Sequence, residues 1–241
     1  MDIKNIKKEF PIFKQKINGK PLVYLDSANS SQKPKVVIDK ISNFYETEFS
    51  NVGRSVHTLA VKATNRFEAS RDKTQKYLNA KHREEIIFTK GATEAINLVA
   101  SSYGKKYIKK GDEILITELE HHSNYVPWNF LRTEKGAVIK FAQVNEGGDV
   151  EIEEIKKLIT NKTKMVAITH ISNVTGAVLP ITKIVDLAKE KNIPVLIDGT
   201  QGAPHSKIDM QKIGCDFYAI SCHKMYGPNG LGILYMKKKM G

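Results

Sequence analysis

The sequence predicts an α/β protein built on a mostly parallel sheet of about seven strands, with helices covering both faces. Two observations carry this. Short apolar runs recur near residues 85–89, 113–117, 138–142, 165–169, 195–198, 217–221 and 232–236, the length and texture of buried strands. Between them, near 93–103, 123–135, 151–160 and 182–191, apolar residues return at helical spacing. Strand and helix in alternation make the crossover units of a parallel sheet.

The N-terminal third reads differently. Residues 1–20 suggest a short basic helix and a loop through Asn18-Gly19, and Val23-Tyr24-Leu25 a brief strand ending at Asp26-Ser27-Ala28-Asn29-Ser30. A helix is expected over 35–49, where Val36, Val37, Ile41, Phe44 and Tyr45 recur on one face. After a loop at 50–56, a helix without proline runs from about Thr58 to Leu78, its face carrying Leu59, Ala63, Phe67, Ser70 and Tyr77. There are no internal repeats, low-complexity tracts or evident linkers.

Composition narrows the function classes. The 241 residues are 41% hydrophobic and 27% charged, ordinary for a soluble globular chain. The net charge of +12 invites a nucleic-acid reading, but only 5 of the 38 basic residues are arginine and the lysines are scattered. Nucleic-acid readers cluster arginine beside aromatic side chains, so no nucleic-acid partner is expected; a lysine surface suits anionic partners or substrates. Cys215 and Cys222 lack metal-site spacing, and residues 1–10 lack the apolar stretch of a secretory leader. No apolar run approaches the roughly 18 residues of a membrane span, so a cytoplasmic protein is expected.

Chemistry concentrates on two consecutive strand ends. Val-Leu-Ile-Asp-Gly-Thr-Gln (195–201) delivers Asp198 and Gln201; Asp-Phe-Tyr-Ala-Ile-Ser-Cys-His-Lys-Met-Tyr-Gly-Pro (216–228) delivers Ser221, His223 and Lys224. Either motif alone is common and means little. A lysine with a pKa near about 10.4 is a poor nucleophile at neutral pH unless its nitrogen is held in a Schiff base. Lysine and carboxylate make sense together if a cofactor lies between them, with an aldehyde at one end and a basic ring nitrogen at the other. Pyridoxal phosphate is such a molecule. Gly91-Ala92-Thr93-Glu94, a small-residue turn into a helix, could receive its phosphate on free N–H groups with Thr93 adding a hydroxyl; plain N-capping by Thr93 explains the same residues. Ser221 and His223 would then hold the other side of the phosphate. His121, at a strand's carboxyl end, could stack on a flat ring and exchange protons. His121 and His122 have no third ligand at suitable spacing, so no metal is expected. Asn173 is a turn residue ahead of Gly176 or a cofactor contact; His57, His82, His170 and His205 read as structural, and Asp26 as a strand-end residue near the site.

With these segments stand Tyr-Leu-Asp-Ser-Ala (24–28), Gly-Ala-Thr-Glu-Ala-Ile-Asn (91–97), Glu-His-His-Ser-Asn-Tyr-Val-Pro-Trp (120–128) and His-Ile-Ser-Asn-Val-Thr-Gly (170–176). From about Phe10 onward the chain resembles fold-type I pyridoxal phosphate enzymes of aminotransferase class V, and within them cysteine desulfurases of the SufS type. That resemblance implies a three-layer large domain over 21–241, with 1–20 belonging to the small domain in relatives. It implies the cofactor as a Schiff base on Lys224, Asp198 at the ring nitrogen, His121 stacked on the ring, and Asn173 and Gln201 beside its phenolic oxygen. Lys224 and His121 would move protons while L-cysteine becomes L-alanine. The sulfur would leave as a persulfide for an acceptor protein in iron–sulfur cluster assembly, in a homodimer. Departures are Gly53-Arg54-Ser55 where relatives show His-Arg-Gly, Asn29 where they show Ala, and Cys222 where they usually show Gly. Family members are also longer. The small domain is expected to be absent here, with the persulfide-forming cysteine and the substrate-binding arginine; neither Cys215 nor Cys222 stands in that cysteine's place. Selenocysteine lyase, another class V activity, and a non-catalytic cofactor-binding or dimerising fragment remain the alternatives.

Overall fold

The computed structural model describes residues 2–241. The expected strand–helix alternation forms one seven-stranded sheet, preceded by a small hairpin. Strands are β1 (Lys16–Ile17), β2 (Lys20–Pro21), β3 (Ile86–Thr89), β4 (Glu113–Thr117), β5 (Val138–Ala142), β6 (Thr163–Thr169), β7 (Val195–Asp198), β8 (Phe217–Ser221) and β9 (Gly232–Met236). Helices are α1 (Ile3–Lys8), α2 (Lys35–Thr47), α3 (Thr58–Tyr77), α4 (Ala92–Val99), α5 (Lys105–Tyr107), α6 (Val126–Lys135), α7 (Ile152–Leu158), α8 (Ile181–Glu190), α9 (Gly202–His205) and α10 (Met210–Ile213).

The sheet order is β3-β9-β8-β7-β6-β4-β5. Neighbouring pairs are parallel from β5 to β8; β9 alone runs the other way, antiparallel to both β8 and β3. Alternate residues of the central strands serve two separate cores. Leu115, Val166, Ile168, Val195, Ile197, Tyr218 and Ile220 face one side, with Ile155 of α7 and Ile181, Ile184, Val185 and Ala188 of α8. Ile114, Ile116, Met165, Ala167, Leu196, Phe217 and Ala219 face the other, with Ala95, Ile96 and Val99 of α4 and Trp128 and Leu131 of α6. Period-2 strands thus meet i, i+3, i+4 stripes of helices on both faces, which gives three layers and explains why these strands read as unbroken apolar runs.

Two expectations need correction. Val23–Leu25 is not a strand: Val23 is 72% and Leu25 90% exposed, and among the described residues no sheet edge pairs with them. The Tyr24 hydroxyl instead donates to the Ser30 carbonyl at 2.7 Å, bending the segment back. The helix expected over 93–103 is α4, a π-type turn over Ala100–Gly104, and then α5. Gly104 sits where a Cβ would come within 2.7 Å of Leu131 Cδ1, so the wider turn lies tight against α6. Asn18 and Gly19, both at positive φ (51° and 75°), close the β1–β2 hairpin, the backbone that Asn-Gly favours in two-residue turns.

Candidate active site at the carboxyl ends of the strands

The sheet leaves β4 toward β5, then returns to place β6 on β4's other side. A crevice at the carboxyl ends of the strands opens at such a reversal. Turns after β3, β4, β6, β7 and β8 converge there on one cavity of about 170 Å³. All eight residues singled out from the sequence line it: Thr93, His121, Asn173, Asp198, Gln201, Ser221, His223 and Lys224. Sequence reasoning missed Ser123, Thr169 and Thr200 as lining residues, and gave Asn29, which also lines it, no part in the site.

Asp198 ends β7 with only 4% of its surface exposed. One carboxylate oxygen accepts the Thr200 N–H at 3.0 Å, and among the described residues no other hydrogen bond to the carboxylate is formed. Lys224 ends the 3₁₀ turn Cys222–Lys224 that follows β8. Among the described residues it makes no ion pair within 4.0 Å. Burial lowers its pKa and the field of Asp198 raises it; burial prevails, so the amine lies below its ordinary value. Gln201, 5% exposed, reaches out of the sheet to donate to the Ala28 carbonyl at 2.6 Å.

At the start of α4 the cap residue is Gly91, with no side-chain cap bond. Capping therefore does not explain Thr93, whose exposed side chain lies on the cavity wall. The turn packs close to the sheet because β9 offers a glycine there: a Cβ on Gly232 would lie 2.4 Å from Gly91 Cα. Ser221 Oγ accepts the Ala92 N–H at 2.9 Å, tying β8 to the helix start. Nearby N–H groups of a first helical turn lack intrahelical partners and suit an anion.

His121 is exposed at the rim. Its Nδ1 accepts the Ser123 N–H at 3.1 Å, so the neutral ring carries its proton on Nε2. His122 does not line the cavity, nor does Asp26, which is exposed and bonded to Asn29. The residue before His121 is another matter. Glu120 is partly exposed as a residue, yet its carboxylate oxygens accept from Thr117 Oγ1 at 2.6 Å, Asn124 Nδ2 at 2.6 Å and the Thr169 N–H at 2.8 Å. Burial, and then the charge of Asp198, push its acid up to about 8 against those hydrogen bonds.

Behind Asp198, His170 Nδ1 and the Tyr218 hydroxyl lie 2.8 Å apart, both buried, and burial pushes the His170 pKa down to about 4. Gly199 and Gly202 make room for this pair: a Cβ on Gly199 would lie 1.8 Å from Tyr218 Cε1, one on Gly202 2.1 Å from His170 Nδ1. Burial also raises both thiols, that of Cys222 to about 11, so neither is a thiolate nucleophile at neutral pH. No group of three or more potential metal ligands occurs among the described residues.

The donor set fits pyridoxal phosphate. The Lys224 amine, the buried Asp198 carboxylate with its single donor, and a helix start beside Ser221 border the same space. Thr200 lines the cavity, and its buried Oγ1 has no hydrogen-bond partner among the described residues, an orphaned polar atom that a small shift toward a ligand would satisfy.

Comparison with known proteins points the same way. The profile of the family "Aminotransferase class-V" matches residues 23–241. The chain is 49% identical over 238 residues to a probable cysteine desulfurase of Halalkalibacterium halodurans, covering 99% of this chain and 59% of that protein. It is 44% identical to a cysteine desulfurase of Synechococcus elongatus, covering 99% of this chain and 38% of that one. Among solved structures it superimposes on the cysteine desulfurase CsdA (S-sulfonic acid) of Escherichia coli with a TM-score of 0.88 at 35% identity, covering 100% of this chain and 59% of that one. With the apo cysteine desulfurase of Thermococcus onnurineus NA1 the TM-score is 0.92 at 33% identity, covering 98% and 57%. The chain thus spans less than two thirds of the length of each of these relatives.

Proposed function

The chain belongs to the aminotransferase class-V family, and from that premise we propose that residues 21–241 are the cofactor-binding large domain of a pyridoxal phosphate-dependent cysteine desulfurase. The observation that carries this is the meeting of the Lys224 amine and the buried Asp198 carboxylate in one cavity beside the start of α4. The relatives named cysteine desulfurase support L-cysteine as substrate.

When bound, pyridoxal phosphate supplies an aldehyde for a lysine and an electron-withdrawing ring. Lys224 would carry it, and the buried Asp198 would face the ring nitrogen's proton. Thr93, Ser221, His223 and the first-turn N–H groups of α4 would hold the phosphate, with Asn173 and Gln201 beside the phenolic oxygen. Once the amine of L-cysteine has displaced it, Lys224 Nζ, its charged form disfavoured by burial, would take and return the proton at the α carbon. His121 Nε2, with no hydrogen-bond partner among the described residues, would assist that proton transfer from the rim. In this assignment the enzyme is cytoplasmic, and a cysteine other than Cys215 and Cys222 would take the substrate sulfur as a persulfide and pass it to an acceptor protein for iron–sulfur cluster assembly. No helix among the described residues is long and apolar enough to cross a membrane. The unburied face of α2, with Val36 68% and Tyr45 66% exposed, supports a covering partner such as the second subunit of a homodimer.

Incubation with pyridoxal phosphate, reduction with borohydride and peptide mapping test the assignment. The expected result is a visible absorbance, and a pyridoxyl label on the peptide carrying Lys224, both lost in Lys224→Ala. Label on another lysine, or undiminished colour in the variant, would refute it.

A further inference from the structure

The turn that carries Lys224 does not hold itself. Within it, the N–H groups of Met225 and Gly227 both donate to the Cys222 carbonyl at 2.9 Å. Tyr226 between them sits at φ 64°, a left-handed backbone that a bulky non-glycine residue rarely adopts. Two peptide groups, the His223 carbonyl and the Tyr226 N–H, find no partner inside the turn. Both are met by one strap of chain some 190 residues earlier in sequence.

Ser31 makes the double contact. Its hydroxyl accepts the Tyr226 N–H at 2.7 Å and lies 3.0 Å from the His223 oxygen, which its own N–H also reaches at 3.0 Å. Ser30 Oγ approaches the same carbonyl at 3.3 Å and the His223 ring Nδ1 at 3.3 Å. Lys33 Nζ donates to that carbonyl at 2.9 Å and to the Ser31 carbonyl at 2.6 Å. A carbonyl oxygen has two lone pairs, so these donors compete, and the charged one makes the strongest bond. Among the described residues Lys33 has no carboxylate within 4.0 Å; its ammonium is spent on two backbone carbonyls. The strap is itself anchored, by the Tyr24 hydroxyl on Ser30 and by Gln201 on Ala28.

We propose that residues 30–33 latch the turn that carries Lys224, and that Lys33 is a positioning residue holding the Lys224 amine in place through the His223 carbonyl. A reacting group must be held to within about 0.5 Å, and a short turn with a left-handed residue would relax without outside support. The Lys33 charge has a second effect. After burial and Lys224, it disfavours a charged His223 ring, leaving a neutral imidazole beside the amine. The role toward the cofactor rests on Lys224 being the cofactor lysine; the latch itself does not.

Hydrogen exchange of the cofactor-free full chain, read by mass spectrometry, tests the latch, with the rate of pyridoxal phosphate capture as the second readout. In Lys33→Met, which keeps the apolar stem, exchange over 222–227 should quicken at least about tenfold while peptides of β4, β6 and β7 stay protected. Capture should slow, and Lys33→Arg should restore both. Ser31→Ala should quicken exchange over the same segment, and it serves alone if Lys33→Met does not fold. Unchanged exchange over 222–227 in the folded variants overturns the latch. Faster exchange with unchanged capture overturns the positioning role. A wild-type adduct on a different lysine would sink the site assignment instead, leaving the exchange result standing.

Discussion

Replacing Glu120 with glutamine should remove a pH dependence that this residue gives the fold. The Glu120 acid is raised from an ordinary value of 4.5 to about 8 by burial and by the charge of Asp198. In the folded chain it therefore keeps its proton where the unfolded chain has released it. The folded state then binds one proton more, and stability falls as pH rises, by about 1.4 kcal/mol per pH unit across the window from 4.5 to about 8. The integrated loss is at most about 5 kcal/mol. The contribution is fully present below 4.5 and gone once pH has passed through about 8. Glu120→Gln cannot titrate. It carries a fixed penalty, because its amide meets Asn124 Nδ2, and Asn124 cannot flip while its Oδ1 accepts from Trp128 Nε1 at 3.1 Å. That penalty is the same at every pH and drops out of the slope. Urea denaturation of both proteins from pH 5 to 8.5 gives the comparison. The wild-type advantage should shrink steadily toward high pH, and the variant should become relatively more stable. A difference that is flat, or that grows with pH, would show that the three hydrogen bonds keep Glu120 ionised and outweigh its burial.

Two further variants probe the Asp198 strand end. Asp198→Ala should slow exchange of the α-proton of L-cysteine, measured by deuterium incorporation on the cofactor-loaded protein, at least about a hundredfold; near-normal exchange would remove the ring-nitrogen role. Gly199→Ala drives a methyl into the Tyr218 ring, 1.8 Å from Cε1, and should cost about 1–3 kcal/mol or more in urea denaturation; an unchanged midpoint would mean that Tyr218 and its bond to His170 shift freely.

The central sheet was legible because its strands are buried on both faces, and double burial writes itself into sequence as short, continuous apolar runs. Val23–Leu25 carries a similar texture and forms no strand, since β pairing needs an edge that local sequence does not report. The π-type turn at Ala100–Gly104 lies tight against Leu131, where Gly104 leaves no room for a Cβ, a tertiary closeness that no helical periodicity encodes. Within the site, Asp198, which ends β7, and Lys224, in the turn that follows β8, were readable because polar groups follow apolar ones where strands end. Glu120 sits in the same kind of position beside His121, yet it gave no signal of its own. Its surroundings are the Thr169 N–H and Asn124, one of them on a different strand.

The contrast between those two carboxylates supports Asp198, and not Glu120, as the one that meets a ligand. Both lie at the carboxyl end of the sheet, close enough that the charge of Asp198 raises the Glu120 pKa. Each buried carboxylate must be satisfied by donors or give up its charge. Glu120 has three donors spread over both its oxygens, and its chemistry is turned inward, joining β4 to β6 beneath the His121 turn. Asp198 has one donor among the described residues, on one oxygen, and lines the cavity that Lys224 shares. Glu120 is closed both by its three donors and by the proton that burial makes it keep, whereas Asp198 has a single donor among the described residues. That difference supports the role proposed for Asp198, whose carboxylate would meet a protonated ring nitrogen of a bound cofactor.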